Sequence, residues 1–188
     1  MNNYDLILST ALELFAVRGY SAVGVQEIVD AVGVTKPTLY HYFNGKQGVL
    51  EQIIKSKTSG FLQVFINASE YQHDLTYSLQ KMMNAILSFA KEDSVFFRYF
   101  TSLRYAPEDS VEKSCVESVY SLIYQQLHSL FLSSVNEHGN IRGKEELQAV
   151  TFWGFAVEIA HLVLDGKMEA TENCIYHALR QFEFGIYN

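Results

Sequence analysis

The chain has 188 residues, enough to bury one or two compact cores, and its 48% hydrophobic and 19% charged content excludes an intrinsically disordered polymer. The formal net charge of -7 is unevenly spread: residues 1–60 hold five acids and five bases, residues 61–188 sixteen acids against nine bases. Cys115 and Cys174 lie far apart with no CxxC spacing, which argues against a disulfide scaffold or a zinc site and fits a reducing cytoplasm. The first residues carry Asp5 and Glu13 and no basic stretch, unlike a signal peptide, and no uninterrupted apolar run reaches the length of a bilayer.

Two prolines and few alternating runs predict an all-α fold. Ile7, Ala11, Leu14 and Phe15 recur at helical spacing, and Gly19 closes that helix. A second helix opens at Gly24, where Glu27 can reach back to the open backbone N–H, and runs through Ile28, Val29 and Val32 to Gly33. Thr35 caps a third, short helix with Lys36 and Pro37 in its first turn and Asn44-Gly45 at its end. This is a helix-turn-helix pattern. Leu39 and Phe43 are expected to point inward, leaving Thr38, Tyr40, His41 and Tyr42 on the outward sides. A long fourth helix starts at Lys46. It is expected to continue through KSKTSG, residues 55–60, because Ile53, Ile54, Phe61, Leu62 and Phe65 keep one phase. Farther on, helices break near 71–74, 91–94, 106–110, 138–143 and 165–171.

From Ala31 to Leu50 there is no Asp or Glu, although the chain is acidic. A helix pushed into the major groove needs phosphate donors and tolerates no carboxylate beside phosphate oxygens. Lys36 and Lys46 supply charge, and Thr38, Tyr40 and Tyr42 supply neutral hydroxyls. Base edges fall to Lys36, Pro37, Thr38 and His41 at the front of the short helix.

Residues 6–54, with GVTKPTLYHYF followed by Lys46, resemble the DNA-binding domain of the TetR family of bacterial transcriptional repressors. The resemblance implies a three-helix helix-turn-helix domain over 1–46. It implies a larger helical ligand-binding and dimerisation domain over 47–188. DNA-contacting positions carried over are Gln26, Thr35, Lys36, Pro37, Thr38, Tyr40, His41, Tyr42 and Lys46. Three positions depart from the family pattern. Val23-Gly24 lacks the usual hydroxyl before the second helix. Gly45 replaces the usual Ser or Asn, and Gly48 sits inside the first turn of the fourth helix; these departures predict a looser junction between the domains or somewhat weaker DNA binding, with the main anchors kept.

In the second part, Leu147, Val150, Gly154, Val157, His161 and Leu164 mark one stripe, and Ile175, Ala178, Leu179, Phe182 and Ile186 another. The stripes could pack on their own core. The resemblance implies instead that they pair two copies, with Leu147, Val150, Gly154, Val157, Ile175, Ala178, Leu179, Phe182 and Ile186 at a homodimer interface. The aromatic middle is expected to enclose a mainly apolar effector among Phe96, Phe100, Tyr120, Tyr124, His128, Trp153 and His161, with Glu158 and Asp165 as further polar points. The expected function is a cytoplasmic, ligand-released repressor that binds a palindromic double-stranded operator, needing no cofactor, metal or membrane.

Two other readings remain at this stage. Glu70–His73 and Glu158–His161 are both Glu-x-x-His pairs, as in ferritin-like di-iron enzymes. A helical protein-binding module is the second. No HExxH, nucleophile elbow or phosphate loop occurs in the sequence.

Overall fold

The computed structural model describes residues 2–185, and these contain α-helices and one short 3-10 turn but no strand. The helices are α1 (Asn3–Arg18), α2 (Val25–Val32), α3 (Lys36–Phe43), α4 (Lys46–Ala68), α5 (Leu75–Glu92), α6 (Ser94–Leu103), α7 (Val111–Ser134), α8 (Glu145–Leu164) and α9 (Glu172–Phe184). Every expected break falls between two of them. The stretch 55–60 is helical, as its phase required. Thr58 is buried within it, and its hydroxyl is satisfied by donating back to the Ile54 carbonyl at 2.8 Å.

By packing, the chain divides into two compact units. The first runs to Ser59 and includes Val95–Ser118; the second holds Gly60–Ser94 and the chain from Val119 onward. The sequence-expected division at 46/47 is one of roles. The packing division differs from it because the start of α4 and the segment 95–118 bury their apolar side chains with α1–α3.

In the first unit, α1 packs on α2 and α2 on α3. Ile7, Ala11, Phe15, Ile28, Leu39, Val49 and Leu50 are fully buried there. Tyr99 of α6 stacks on Phe15 with ring centroids 6.4 Å apart. In the second unit, α5 packs on α8 and α9. Its core holds Phe65, Met82, Met83, Ile86, Phe131, Phe152 and Ala156. Phe182 of α9 inserts between Phe152 and Phe155, at 5.4 and 5.6 Å.

The helix α8 is long and apolar enough to cross a membrane by length and composition. Its apolar run is interrupted by Gln148, Thr151, Glu158 and His161, so the expectation that no uninterrupted apolar run spans a bilayer stands for it. Its inner face, with Phe152, Trp153, Ala156, Ile159 and Ala160, is buried in the second unit.

Candidate nucleic-acid interface and effector region

The turn between α2 and α3 is set by Gly33, whose left-handed backbone (φ 79°) ends α2 and returns its N–H to the Val29 carbonyl at 2.9 Å. At the head of α2, the Gly24 N–H donates to Glu27 Oε2 at 3.0 Å, the half capping box expected from the spacing. Arg18 holds the other oxygen of the same carboxylate. The Gly24 amide first, then Arg18, keep the Glu27 carboxyl below the usual carboxylate range. Glu27 thus supplies one half of the capping box, and the half that a hydroxyl at position 24 would add, accepting from the Glu27 N–H, is missing.

On α3, Leu39 and Phe43 are buried, as expected. Thr35, Lys36, Pro37, Tyr40, His41 and Tyr42 are exposed, and Thr38 is half-buried. No acid lies in the first turn. The outward face thus carries one ammonium, an imidazole and hydroxyls. Thr35 occupies the cap position by backbone only: its hydroxyl lies 2.9 Å from that of Thr38 and makes no cap bond. Tyr42 is braced by Tyr4 of α1, edge to face at 5.8 Å. Gln26 is exposed on α2, but its amide donates to Asp30 at 2.6 Å, so a carboxylate accompanies it.

Lys46 is placed differently from the expected phosphate anchor. Its ammonium donates to the carbonyls of Tyr20 and Val23, both at 2.8 Å, and sits 4.0 Å from the centre of the Tyr20 ring. Desolvation holds that ammonium below the usual lysine range. Burial in turn pushes the Tyr20 hydroxyl up to about 12, so the ring beneath the cation stays neutral. Lys46 fastens the head of α4 to the turn between α1 and α2. Sequence reasoning could not find this pairing, because its partners lie 26 and 23 residues away.

The glycine junction is also corrected. Gly48 is no loosening substitution: a Cβ at this position would overlap the backbone carbonyl of Phe43. Bare Cα is what lets the first turn of α4 close against the end of α3.

Of the expected effector residues, Phe96 and Phe100 belong to the first unit and the other five to the second. Phe96 and Phe100 are fully buried in the first unit, their rings stacked at 5.8 Å. Trp153 belongs to the second unit, packed against Phe65 at 6.1 Å and Tyr120 at 6.0 Å, with Tyr124 next along α7. His161 is half-buried on α8, while Glu158 and Asp165 are exposed. His128 is exposed, which removes it from any enclosed cavity. The larger cavity described in the second unit, about 560 Å³, lies between α4 and α5 and is lined by none of these seven residues.

The expected dimer stripe splits in two. Leu147, Val150 and Gly154 of α8 are exposed and Val157 is half-buried. In α9, however, Ile175 and Leu179 are buried in their own unit and Phe182 joins its aromatic core; Ala178 is half-buried. Ile175 and Leu179 are thus core, and the rings of Phe131, Phe152 and Phe155 surround Phe182. The outward side of α9 shows Tyr176, Arg180 and Phe184 instead, with Arg180 stacked over the Phe184 ring at 3.8 Å. Ile186 lies outside the described residues.

Neither Glu-x-x-His pair builds a metal centre. Glu70–His73 falls in the loop between α4 and α5, where His73 pairs with Glu137 at 2.5 Å. Among the described residues no group of three or more His, Cys, Asp or Glu is placed to hold a metal ion.

Comparison with known proteins bears on the same regions. Residues 7–53 match the family model described as bacterial regulatory proteins, tetR family. The chain is 30% identical over 128 residues to the HTH-type transcriptional activator FasR of Mycolicibacterium smegmatis, covering 62% of this chain and 57% of that one. It is 24% identical over 126 residues to the biofilm operon icaADBC HTH-type negative transcriptional regulator IcaR of Staphylococcus epidermidis, covering 65% of this chain and 66% of that one. The match therefore spans less than two thirds of either curated relative. Among solved structures, the transcriptional regulator FadR of Bacillus subtilis in complex with stearoyl-CoA has the same fold, with a TM-score of 0.76, 19% identity, and coverage of 98% of this chain and 100% of that one.

Proposed function

The chain belongs to the TetR family of bacterial transcriptional regulators, and from that premise we propose that it acts as a dimeric repressor whose hold on a palindromic operator is released by a small, mainly apolar molecule. The observation that carries the DNA side is the outward face of α3: acid-free, exposed at Thr35, Lys36, Pro37, Tyr40, His41 and Tyr42, and backed by buried Leu39 and Phe43. A short helix presented this way reads only a few base pairs, so specificity calls for two copies and two half-sites. Lys36 is the cation of this face. Tyr40, Tyr42 and Thr38 donate hydroxyls, and His41 and Pro37 meet base edges. Gln26 adds a contact from α2 once DNA draws it from Asp30. Lys46 acts by position, because two of its donors already serve carbonyls.

FasR is an activator and IcaR a negative regulator, so the fold serves both signs. Repression is the simpler reading here, since covering an operator needs no further contact. The ligand side draws on FadR, which holds a long acyl chain with an anionic head. A ligand can shift DNA affinity only by binding one arrangement of the protein better than another. The helix α4 is a physical connection for this, because it starts at Lys46 and continues to Ala68 without a break. Such a regulator works beside DNA in the cytoplasm and is not an enzyme.

Operator binding of two variants, measured across a range of salt, tests the DNA side. Lys36→Ala is expected to weaken binding and to lower the salt slope by about one, the signature of one released counterion. Lys46→Met, which keeps the aliphatic stem over Tyr20, is expected to weaken binding while leaving the slope unchanged. It also takes a donor from the Val23 carbonyl, while the Tyr20 carbonyl keeps the Val23 N–H at 3.2 Å, a loss of about 1–3 kcal/mol in the stability of the first unit. A slope lowered equally in both variants would make Lys46 a phosphate anchor and overturn the positioning role. Binding and slope unaltered in Lys36→Ala would remove α3 from the interface.

A further inference from the structure

We infer that the groove between α4 and α5 is a binding site for an unbranched acyl chain bearing an anionic head. The inference rests on the effector reading above and gives it a place and a chemistry. The groove lies wholly within the second unit and offers about 560 Å³, within the usual range of small-molecule sites. The loop of residues 69–74 joins the two helices as antiparallel neighbours. Small side chains then keep them from interdigitating: Gly60 and Ala68 on α4, Ala85 and Ser88 on α5. The floor is apolar. Phe61 stacks on Phe89 with centroids 4.4 Å apart, and Val64 is 55% exposed on the same stretch. The two rings are themselves buried, so Val64 is the apolar surface here still in contact with water, which a hydrocarbon chain would cover.

The shape and the charges choose among apolar ligands. From Lys81 to Glu92 the lining follows eleven steps of α5, roughly 16 Å at about 1.5 Å per residue, a long and narrow trough suited to a chain more than to a compact ring system. The rim is polar at both ends, with opposite signs. Lys81 lies with Asn67 and Asn84 at the end near Ala68, and Glu92 lies at the end near Gly60. A carboxylate head is attracted by Lys81 and by amide donors at the first end and repelled at the second. One orientation results, head at Lys81 and tail over Phe61 and Phe89. Since Gly60, Phe61, Val64, Asn67 and Ala68 all belong to α4, a bound chain acts directly on the helix that begins at Lys46.

Gly60 supplies the test. A Cβ added there meets nothing within 4 Å, so Gly60→Leu starts its side chain in open space at the edge of the trough and is expected to obstruct it. It also removes a glycine from a helix interior, which should leave thermal stability unchanged or raised. Calorimetric titration with dodecanoate below its micelle concentration is expected to show binding to the unaltered chain and a loss of about tenfold or more in Gly60→Leu. Lys81→Gln is expected to lose about two- to fivefold for dodecanoate, and dodecyltrimethylammonium should bind the unaltered chain more weakly than dodecanoate. Equal dodecanoate affinity in Gly60→Leu, no binding to the unaltered chain, or a changed oligomeric state as the sole effect of Gly60→Leu would each overturn the site. Operator release is read in the same samples to separate the two ideas. Release by dodecanoate from both forms alike leaves the effector reading standing and removes the groove. Binding lost in Gly60→Leu, with operator affinity indifferent to dodecanoate, keeps the groove and removes the regulatory role.

Discussion

Gly48→Ala should cost the first unit about 3 kcal/mol or more and with it most operator binding, although the change adds a single methyl group. The added carbon would overlap the Phe43 carbonyl oxygen, a backbone atom at the end of α3 that no rotamer change can move aside. Either α4 shifts outward or the last turn of α3 unwinds. Both disturb the helix that is to enter the major groove. Overpacked sites lose about 1–3 kcal/mol when side chains can yield, and a clash with backbone belongs at or above the upper end. The control lies on the same helix. Gly60→Ala meets nothing within 4 Å and should stabilise by about 0.5–1 kcal/mol through ordinary helix propensity. One chemical change at two glycines of α4 thus predicts opposite signs. Hydrogen exchange of the α3 amides would read the first directly. Protection in Gly48→Ala equal to that of the unaltered chain would show that the close approach carries no strain.

That glycine also shows where a sequence can and cannot be read. The helix boundaries were legible because their causes are local: Gly33 needs a left-handed backbone, Asn44 ends α3 the same way, and Glu27 reaches a backbone N–H three residues back. The continuity of α4 was legible because Ile53, Ile54, Phe61 and Phe65 keep one phase across a polar stretch. The outward face of α3 followed from the two inward residues, Leu39 and Phe43. Facts that join distant parts of the chain were not legible. Periodicity says that Gly48 stands inside a helix but not that Phe43 presses on it. It says that Lys46 heads a helix but not that the carbonyls of Tyr20 and Val23 receive it. Aromatic clustering has the same limit: Phe96, Phe100, Tyr120 and Trp153 are all buried, and burial suits a packed core and the wall of an enclosed cavity alike. The groove was invisible for the converse reason, since its marks are small residues on two helices, and small residues announce nothing in a sequence.

The terminal helices bring the same problem to the dimer, and the structure changes which substitution tests it. Both faces of α9 carry apolar groups, so spacing alone could not say which one meets a neighbour. Leu179 is 2% exposed, and Phe182 is held by three rings of its own unit. A charge at either position would unfold the second unit and say nothing about pairing. The informative residues are Leu147 and Val150, 64% and 51% exposed, three apart on a helix apolar enough for a membrane. Two large aliphatic side chains left open side by side on one helix face ordinarily have a cover. For α8 the inner face has its cover, and a second copy is the cover we propose for the outer one, with Gly154 allowing close approach. Leu147→Glu with Val150→Glu should leave the fold intact, because surface changes of this kind shift stability by about 0.5 kcal/mol or less. The pair should nonetheless give monomers by analytical ultracentrifugation. Each monomer would then hold a half-site alone, and losing the linked second contact should cost about a hundredfold or more in operator affinity. On a single half-site the variant and the unaltered chain should bind alike, since α3 is untouched. A variant that stays dimeric moves the interface off α8. A monomer with full operator affinity removes the two-fold reading altogether.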